Sequence, residues 1–217
     1  MSDFNVRLSQ AAKQMGLSLD DKQRQDILLY LELIQKWNKT YNITAIKDAE
    51  QILIQHLFDS LSVIPSLIER FDVSSPLTVL DVGSGGGLPG VIIAICCPQW
   101  QITCIDAVEK KTTFITMVAG RLGLKNLRSK HGRIEEYISN TADLVISRAF
   151  ASLSDFANWS GHTLKLDGEL AAMKGHYLED EVAELESSTD WQLSSWHKLH
   201  VVDMDAERCL IWMSRKD

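Results

Sequence analysis

Residues 77–90 of this chain read LTVLDVGSGGGLPG. The apolar, mostly β-branched residues Val79, Leu80 and Val82 predict a short buried strand. Four glycines follow within the next five residues, and Pro89 then stands in the first turn of an apolar helix that continues as VIIAICC. Strand, glycine turn and helix predict the opening βα unit of a nucleotide-binding α/β domain, because glycine lets a backbone turn sharply and approach a ligand closely.

The glycines of this loop fit two ligand patterns. Gly85, Gly87 and Gly90 satisfy GxGxxG, in which a pyrophosphate rests on the helix N-terminus. A fuller description starts at Asp81 and gives D-x-G-x-G-x-G. A carboxylate at the strand end disfavours a pyrophosphate and favours a ligand that carries a positive ammonium or sulfonium group. This spacing resembles the first motif of S-adenosylmethionine (SAM) methyltransferases.

Length and composition indicate an ordinary globular chain. The 217 residues are 45% hydrophobic and carry a formal net charge of −7, which suits one α/β domain with an extension and argues mildly against a nucleic-acid partner. Residues 110–134 nonetheless hold seven Lys or Arg and no acid. This run predicts either a solvated face or a locally basic surface.

Cysteine usage and hydropathy point to the cytoplasm. The four cysteines show no CxxC and no zinc spacing, so we interpret them as buried thiols and expect no metal site. The apolar run after the glycine loop is far too short to cross a membrane, and the first thirty residues carry no signal-peptide core. We therefore expect a cytoplasmic protein with no membrane partner.

Three amphipathic segments precede the glycine loop. The first covers residues 4–15, and the second starts at Asp20 with a capping box to Gln23. The third starts at Asp48 and runs to about residue 70, with Pro65 as a kink or break. Between the second and third, residues 36–46 (KWNKTYNITAI) predict an irregular segment. We expect residues 1–70 to form an N-terminal helical extension packed on the main domain, residues 71–217, because they are too few for a good core of their own.

Strand and helix patterns alternate after the loop. The second strand, residues 100–106, ends in Asp106, at the position where an acid binds ribose hydroxyls in NAD and SAM enzymes alike. Further strands are predicted at 126–131, 142–150 (with the exit of the strand) and 168–174, helices at 110–122, 155–164 and 177–185, and two β-like segments within 191–215. The pattern predicts an α/β, Rossmann-like fold: a mostly parallel twisted sheet with helices on both faces.

Five motifs, in this order and spacing, carry a family resemblance: KWNKTYNITAI, HLFDSL, DVGSGGGLPG, SRAFASL and MKG. They resemble the RsmG/GidB family of bacterial methyltransferases, which use SAM to methylate guanine N7 in the small-subunit (16S) ribosomal RNA. The resemblance covers the chain from the second helix to about residue 185. It implies SAM as cofactor and small-subunit rRNA, within ribosomal particles, as partner.

The resemblance also implies site residues. The expected SAM-binding residues are Asp81, Gly83, Ser84, Gly85, Gly87, Leu88, Asp106, Ile134, Glu135 and Arg148. Among them Asp106 would bind the ribose, and Ile134 and Glu135 would flank the adenine. Arg148, Arg133 and Lys174 are the candidate catalytic residues, each able to hold guanine O6 or a phosphate. An arginine at the end of the apolar strand 144–146, after Ser147, is a poor core residue, which favours a functional role for Arg148.

The chemistry of N7 methylation places few demands on the side chains. N7 already has a lone pair and no proton to lose, so no general base is required and catalysis rests on positioning.

Two other function classes stay open on the sequence alone. One is a nicotinamide-dependent oxidoreductase, from the GxGxxG pattern. The other is a non-catalytic RNA-binding or ribosome assembly factor, against which the intact Asp81, Gly83, Gly85 and Asp106 argue.

Overall fold

The chain forms a central β-sheet with helices on both faces, in a computed structural model that describes residues 2–148, 150 and 152–216. The α-helices are α1 (Ser2–Gln14), α2 (Asp21–Tyr41), α3 (Ala49–Ile52), α4 (Asp59–Leu61), α5 (Ile64–Arg70), α6 (Gly90–Cys96), α7 (Glu109–Leu122), α8 (Leu153–Ser160) and α9 (Glu179–Ser188). The strands are β1 (Thr78–Val82), β2 (Gln101–Asp106), β3 (Leu127–His131), β4 (Ala142–Ser147), β5 (Leu164–Lys174), β6 (Trp191–Lys198) and β7 (Cys209–Arg215). A π-helical turn (Leu53–Phe58) joins α3 to α4, and 3-10 turns cover Ile134–Glu136 and Gly161–Thr163.

The sheet order is β3-β2-β1-β4-β5-β7-β6. Strands β1 to β5 pair in parallel, whereas β7 pairs antiparallel with both β5 and β6. The connections reverse direction where β1 lies between β2 and β4, and ligands of such sheets bind outside the carboxyl ends of the strands at this point. The predicted fold class is confirmed, and the glycine loop follows the strand at the switch point.

Alternating side chains of the strands build one core on each face of the sheet. Val79, Ile146 and Trp212 belong to a buried cluster with apolar residues of α1 to α7. Leu80 and Val145 belong to a second cluster with α8 and α9. The helices before residue 71 thus share a core with the sheet. The division at residue 70 stays a prediction, and its outer ends, Met1 and Asp217, lie outside the described residues.

The second and third helical segments begin as predicted, at Asp20 and Asp48, but the second ends later. The capping box between Asp20 and Gln23 is confirmed. The prediction of an irregular segment from residue 36 is wrong up to residue 41, because α2 continues to Tyr41 and ends where Asn42 adopts a left-handed φ of 49°. The polar side chain of Asn38 stabilises the turn that follows the helix, because its amide donates a hydrogen bond to the Ile46 carbonyl at 2.8 Å.

The segment from Asp48 to Arg70 is interrupted. Asp48 caps it, with its side chain accepting from the Gln51 N–H. The π-helical turn follows, and a break before α5 leaves Pro65 in the first helical turn, as predicted. By length and composition residues 49–70 could cross a membrane, but 67% of their most apolar window is buried inside the protein, as in a core helix. Strand β4 covers Ala142–Ser147 of the segment predicted as a strand and its exit, and Ala149 of that exit lies outside the described residues.

Candidate functional site

The glycine loop is held by hydrogen bonds to β2 on one side and to α2 on the other. The N–H groups of Gly83 and Ser84 donate to the Ile105 carbonyl at 2.9 and 3.2 Å. Gly83 and Gly85 have φ angles of 66° and 59°, in the left-handed region that favours glycine. From α2, the buried hydroxyl of Tyr30 donates to the Gly86 carbonyl at 2.6 Å, a support that the sequence reasoning missed. The loop backbone is therefore fixed before any ligand binds.

The start of α6 packs directly onto the end of β1. A Cβ atom added at Gly90 would lie 2.4 Å from Cys104 Sγ and 2.7 Å from Asp81 Oδ2, so only glycine fits. The Gly90 N–H donates to Asp81 Oδ2 at 2.7 Å. Asp81 is fully buried, and its Oδ1 makes no hydrogen bond within the described residues. The carboxyl thus lies beneath the loop, where it ties β1 to α6, rather than on an open wall facing a positive ligand group.

Burial raises the pKa of Asp81 to about 7 from an ordinary value of 3.8. Between these two pH values the folded chain holds a proton that the unfolded chain releases, so this group lowers the free energy of unfolding as pH rises from about 4 to about 7. We expect Asp81→Asn to remove that component, measured as urea unfolding of variant and wild type at several pH values. His56, whose pKa burial lowers to about 4, contributes the opposite slope in both proteins and cancels in the difference. An identical pH dependence in the two proteins contradicts the assignment.

Two clefts open beside the loop and meet at Gly83. The first cleft lies between the loop and the N-terminal helices; its lining is Ile34, Ile43, Thr44, His56, Gly83, Ser84, Gly85, Gly86, Leu88 and Arg148. The second cleft lies at the ends of β1 to β3; its lining is Val82, Gly83, Ile105, Asp106, Ala107, Gly132, Arg133, Ile134, Glu135, Phe150, Asp155 and Trp159. Most of the predicted site residues line these clefts. Gly87 lines neither of these two clefts. It faces the core instead, because a Cβ atom added there would lie 2.5 Å from Val91.

Asp106, at the end of β2, connects this strand to the glycine loop by a hydrogen bond. Its Oδ2 accepts from the Gly85 N–H at 2.8 Å, and its Oδ1 accepts from the Val108 N–H at 2.9 Å. The Lys111 ammonium lies 3.8 Å from Oδ2. Each carboxylate oxygen has a second lone pair, so the side chain can still accept hydrogen bonds from hydroxyl groups in the second cleft.

The second cleft has apolar walls with charge at its rim. Ile134 is buried and Glu135 is exposed, both in the 3-10 turn after β3. Two aromatic rings that the sequence reasoning missed line the same cleft: the Phe150 and Trp159 ring centroids lie 5.7 Å apart, and Trp159 is 43% exposed. A flat apolar group such as a nucleobase suits this space, and the predicted Arg133 lines the same cleft.

Arg148 lies at the carboxyl end of β4 and lines the first cleft. Its Nη1 donates to Asp59 Oδ2 at 2.9 Å and to the Gln55 carbonyl at 3.2 Å. The π-helical turn makes this second contact possible. The Asp59 N–H donates to the Ile54 and His56 carbonyls. The Gln55 carbonyl therefore receives no hydrogen bond from the Asp59 N–H and can accept one from Arg148. Arg148 therefore joins the N-terminal helices to the sheet beside the loop.

Asp59 is the buried centre of a wider ion-pair arrangement. It is 2% exposed and also accepts from Arg208 Nε at 3.1 Å, from the far end of the chain. Sequence reasoning missed the role of Asp59 and missed Arg208 altogether, since residues 149 positions apart meet only in the folded chain. The predicted Lys174 pairs with Glu181 at 2.7 Å and does not line the first cleft or the second.

His56 is neutral at working pH. Burial and the nearby Arg148 charge lower its pKa to about 4. Its Nδ1 lies 3.1 Å from the Gln55 carbonyl and its Nε2 2.7 Å from Thr44 Oγ1, so Nδ1 carries the proton and Nε2 accepts from the hydroxyl. Among the residues that the structure describes, no group of three or more His, Cys, Asp or Glu side chains could hold a metal ion; the absence of a metal stays a prediction.

Sequence comparison identifies relatives along almost the whole chain. The family model described as GidB, rRNA small subunit methyltransferase G, matches residues 23–211. Proteins named ribosomal RNA small subunit methyltransferase G are similar over most of their lengths. The protein from Bordetella petrii is 51% identical and covers 99% of this chain and 84% of its own, and that from Bordetella avium is 52% identical, covering 96% and 92%.

Solved structures support the fold assignment. A SAM-dependent methyltransferase from Aquifex aeolicus has a TM-score of 0.60 at 18% identity, covering 79% of this chain and 96% of its own. A putative SAM-dependent methyltransferase from Methanococcus maripaludis has a TM-score of 0.57 at 15% identity, covering 86% and 92%. The oxidoreductase alternative receives no support from these matches. With the fold of SAM-dependent methyltransferases and a family match over residues 23–211, the chain belongs to the rRNA small subunit methyltransferase G family.

Proposed function

We propose that this protein transfers a methyl group from SAM to N7 of one guanine in small-subunit ribosomal RNA. The observation that carries the proposal is the junction at Gly83, where a cleft suited to a nucleoside meets a cleft suited to a target base. Family membership supports the rRNA substrate, and the resemblance of the motifs supports guanine N7. We also propose that the rRNA is met within a ribosomal particle in the cytoplasm.

The residues present fit SAM. Asp106 provides a carboxylate for ribose hydroxyls, and Ile134 provides an apolar surface for adenine with Glu135 at the rim. A Cβ at Gly85 would meet nothing within 4 Å, so the loop presents bare backbone to open space. The methionyl part would lie along Gly83 and Ser84 toward Leu88, in the first cleft. Because Asp81 is buried, we propose that it stabilises the loop and the start of α6 rather than contacting SAM.

SAM supplies an electrophilic methyl group, so the protein needs only to orient the nucleophile. Guanine N7 carries its lone pair without deprotonation, and orientation alone is worth several kcal/mol. Neutral His56 suits the first cleft, because the N7-methylated base is cationic and a protonated imidazole would add a second positive charge beside that of Arg148. Arg148 lies where it can hold guanine O6 or the nearby backbone while leaving N7 free.

We infer further that residues 1–70 form a helical extension of the methyltransferase domain, residues 71–217. Support comes from the buried cluster that α1 to α5 share with one face of the sheet. The extension also contributes Thr44, His56 and Asp59, which line the first cleft or hold Arg148. In this view the helices complete the target-base site rather than merely covering the sheet.

Asp106→Ala is expected to weaken SAM binding by roughly 1–3 kcal/mol, the scale for losing hydrogen bonds to a charged group. Isothermal calorimetry measures this loss of affinity directly. The same method tests the identity of the cofactor, because we expect the wild type to bind SAM but not NADH. Asp143→Ala is the matched control: Asp143 accepts from the Thr78 N–H at 2.8 Å at the opposite end of the sheet. If SAM affinity survives Asp106→Ala unchanged, the ribose assignment is wrong.

A further inference from the structure

A third cleft adjoins the first one on the side away from the glycine loop. Its lining is Gln55, His56, Asp59, Arg148, Met173, Lys174, Gly175 and Arg208. His56 and Arg148 line both the first and the third cleft. A group bound in the third cleft therefore lies next to the proposed target base.

Positive charge dominates the third cleft. Arg148, Arg208 and Lys174 line it, and their side chains are 25, 29 and 15% exposed. The lining carboxylate, that of Asp59, is only 2% exposed and is paired with both arginines. An arriving anion thus meets the guanidinium groups and not the carboxylate that holds them.

The two arginines retain donors for a ligand. Arg148 uses Nη1 for Asp59 and Gln55, and Arg208 uses Nε for Asp59 and Nη1 for the Glu207 carbonyl. The Nη2 atoms of Arg148 and Arg208 donate no hydrogen bond to another described residue. A Cβ placed at Gly175 would meet nothing within 4 Å, so this wall is open backbone. Planar guanidinium groups with unused donors are the preferred partners of phosphate oxygens.

We propose that the third cleft binds a phosphate of the RNA backbone next to the target guanine, with Arg208 as its ligand and Asp59 as the residue that positions Arg208 and Arg148. The inference rests on the proposed function for the RNA substrate. The phosphate of a nucleotide is covalently tied to the sugar that carries its base, so a phosphate site must adjoin the base site. The third cleft meets this condition through His56 and Arg148.

The test is Arg208→Ala, assayed in two ways. The first assay measures methyl transfer to small ribosomal subunits at varied concentration, and we expect KM for the subunits to rise ~10-fold or more, the effect of losing about one charge-assisted phosphate contact. The second measures binding of a fluorescent single-stranded oligoribonucleotide at increasing KCl. Its log–log salt slope should fall in magnitude by about 0.7, the value for one phosphate contact. SAM affinity should stay at the wild-type value.

Two further variants keep this test decisive. Lys165→Ala removes a cation at the opposite end of β5 from Lys174, where it pairs with Asp143, and it should leave both assays unchanged. Arg208→Gln keeps a donor toward Asp59 and replaces the alanine variant if that one unfolds. Unchanged KM and salt slope in folded Arg208 variants overturn the phosphate site, as does a fall in kcat alone. A wild type that binds the oligoribonucleotide with the expected slopes but methylates nothing overturns the proposed function instead.

Discussion

Gly83→Val is expected to reduce SAM affinity by at least ~100-fold, roughly 2.7 kcal/mol. Gly83 lines both clefts at their meeting point, so added γ-carbons would occupy the space that links the two halves of the ligand. The backbone adds to the effect: φ is 66° at Gly83, a conformation that a β-branched residue rarely adopts. Calorimetric titration with SAM measures the loss.

Backbone strain alone must be separated from loss of the ligand site. Gly123, the cap that ends α7, has a φ of 68°, and a Cβ atom there would meet nothing within 4 Å. Gly123→Val therefore introduces the same strain away from the clefts and should keep wild-type SAM affinity. If Gly83→Val folds and binds SAM as tightly as this control does, the loop does not contact the cofactor.

Arg148→Ala is expected to lower methyl transfer by at least ~10-fold, about 1.4 kcal/mol in the transition state. Arg148 reaches into the first cleft while it is anchored by Asp59 and Gln55, so its loss removes both a contact for the target and the support of the cleft wall. Arg148→Lys should rescue poorly, because one ammonium cannot donate to the anchors and to a ligand as a planar fork does.

The pH dependence distinguishes positioning from proton transfer. Arginine keeps its charge across the pH range of an assay, so the loss should be the same factor at every pH well above 6.5, the ordinary pKa of histidine, because His56 is neutral there with or without the nearby Arg148 charge. Arg70→Ala is the control, since Arg70 is a comparably exposed arginine paired with Glu169 away from the clefts. Wild-type turnover in a folded Arg148→Ala protein would falsify the role, and would leave Arg133 and Lys174 as the candidate cations.

Local patterns made much of the fold and half of the site predictable. The strand and turn composition of residues 77–90 favours a strand, a left-handed glycine turn and a helix by local preferences alone. The parallel pairing of β1 and β2 then brings Asp106 beside that turn, because the carboxyl ends of parallel strands share one edge. Asp106 and Ile134 therefore lie at the second cleft, as their positions after β2 and β3 implied.

The other half of the site depends on tertiary contacts that have no local signature. Arg208 stands in no motif, and the role of Asp59 becomes visible only when the two arginines meet at its carboxylate. The π-helical turn shifts the helical register by one residue, so a regular helical period could not place the Gln55 carbonyl toward Arg148. The depth of Asp81 likewise depends on how closely α6 packs at Gly90.

Methylation of N7 of a guanine in small-subunit rRNA, with SAM as donor, can be measured directly. The most direct measurement incubates the protein and radiolabelled SAM with naked small-subunit rRNA, isolated small subunits and whole ribosomes, and then maps the label by chemical cleavage at 7-methylguanine. We expect label at one guanine of the small-subunit rRNA, strongest with small subunits, and none with Gly83→Val. Label on another base or another RNA, or no label from a protein that binds SAM, would contradict the account.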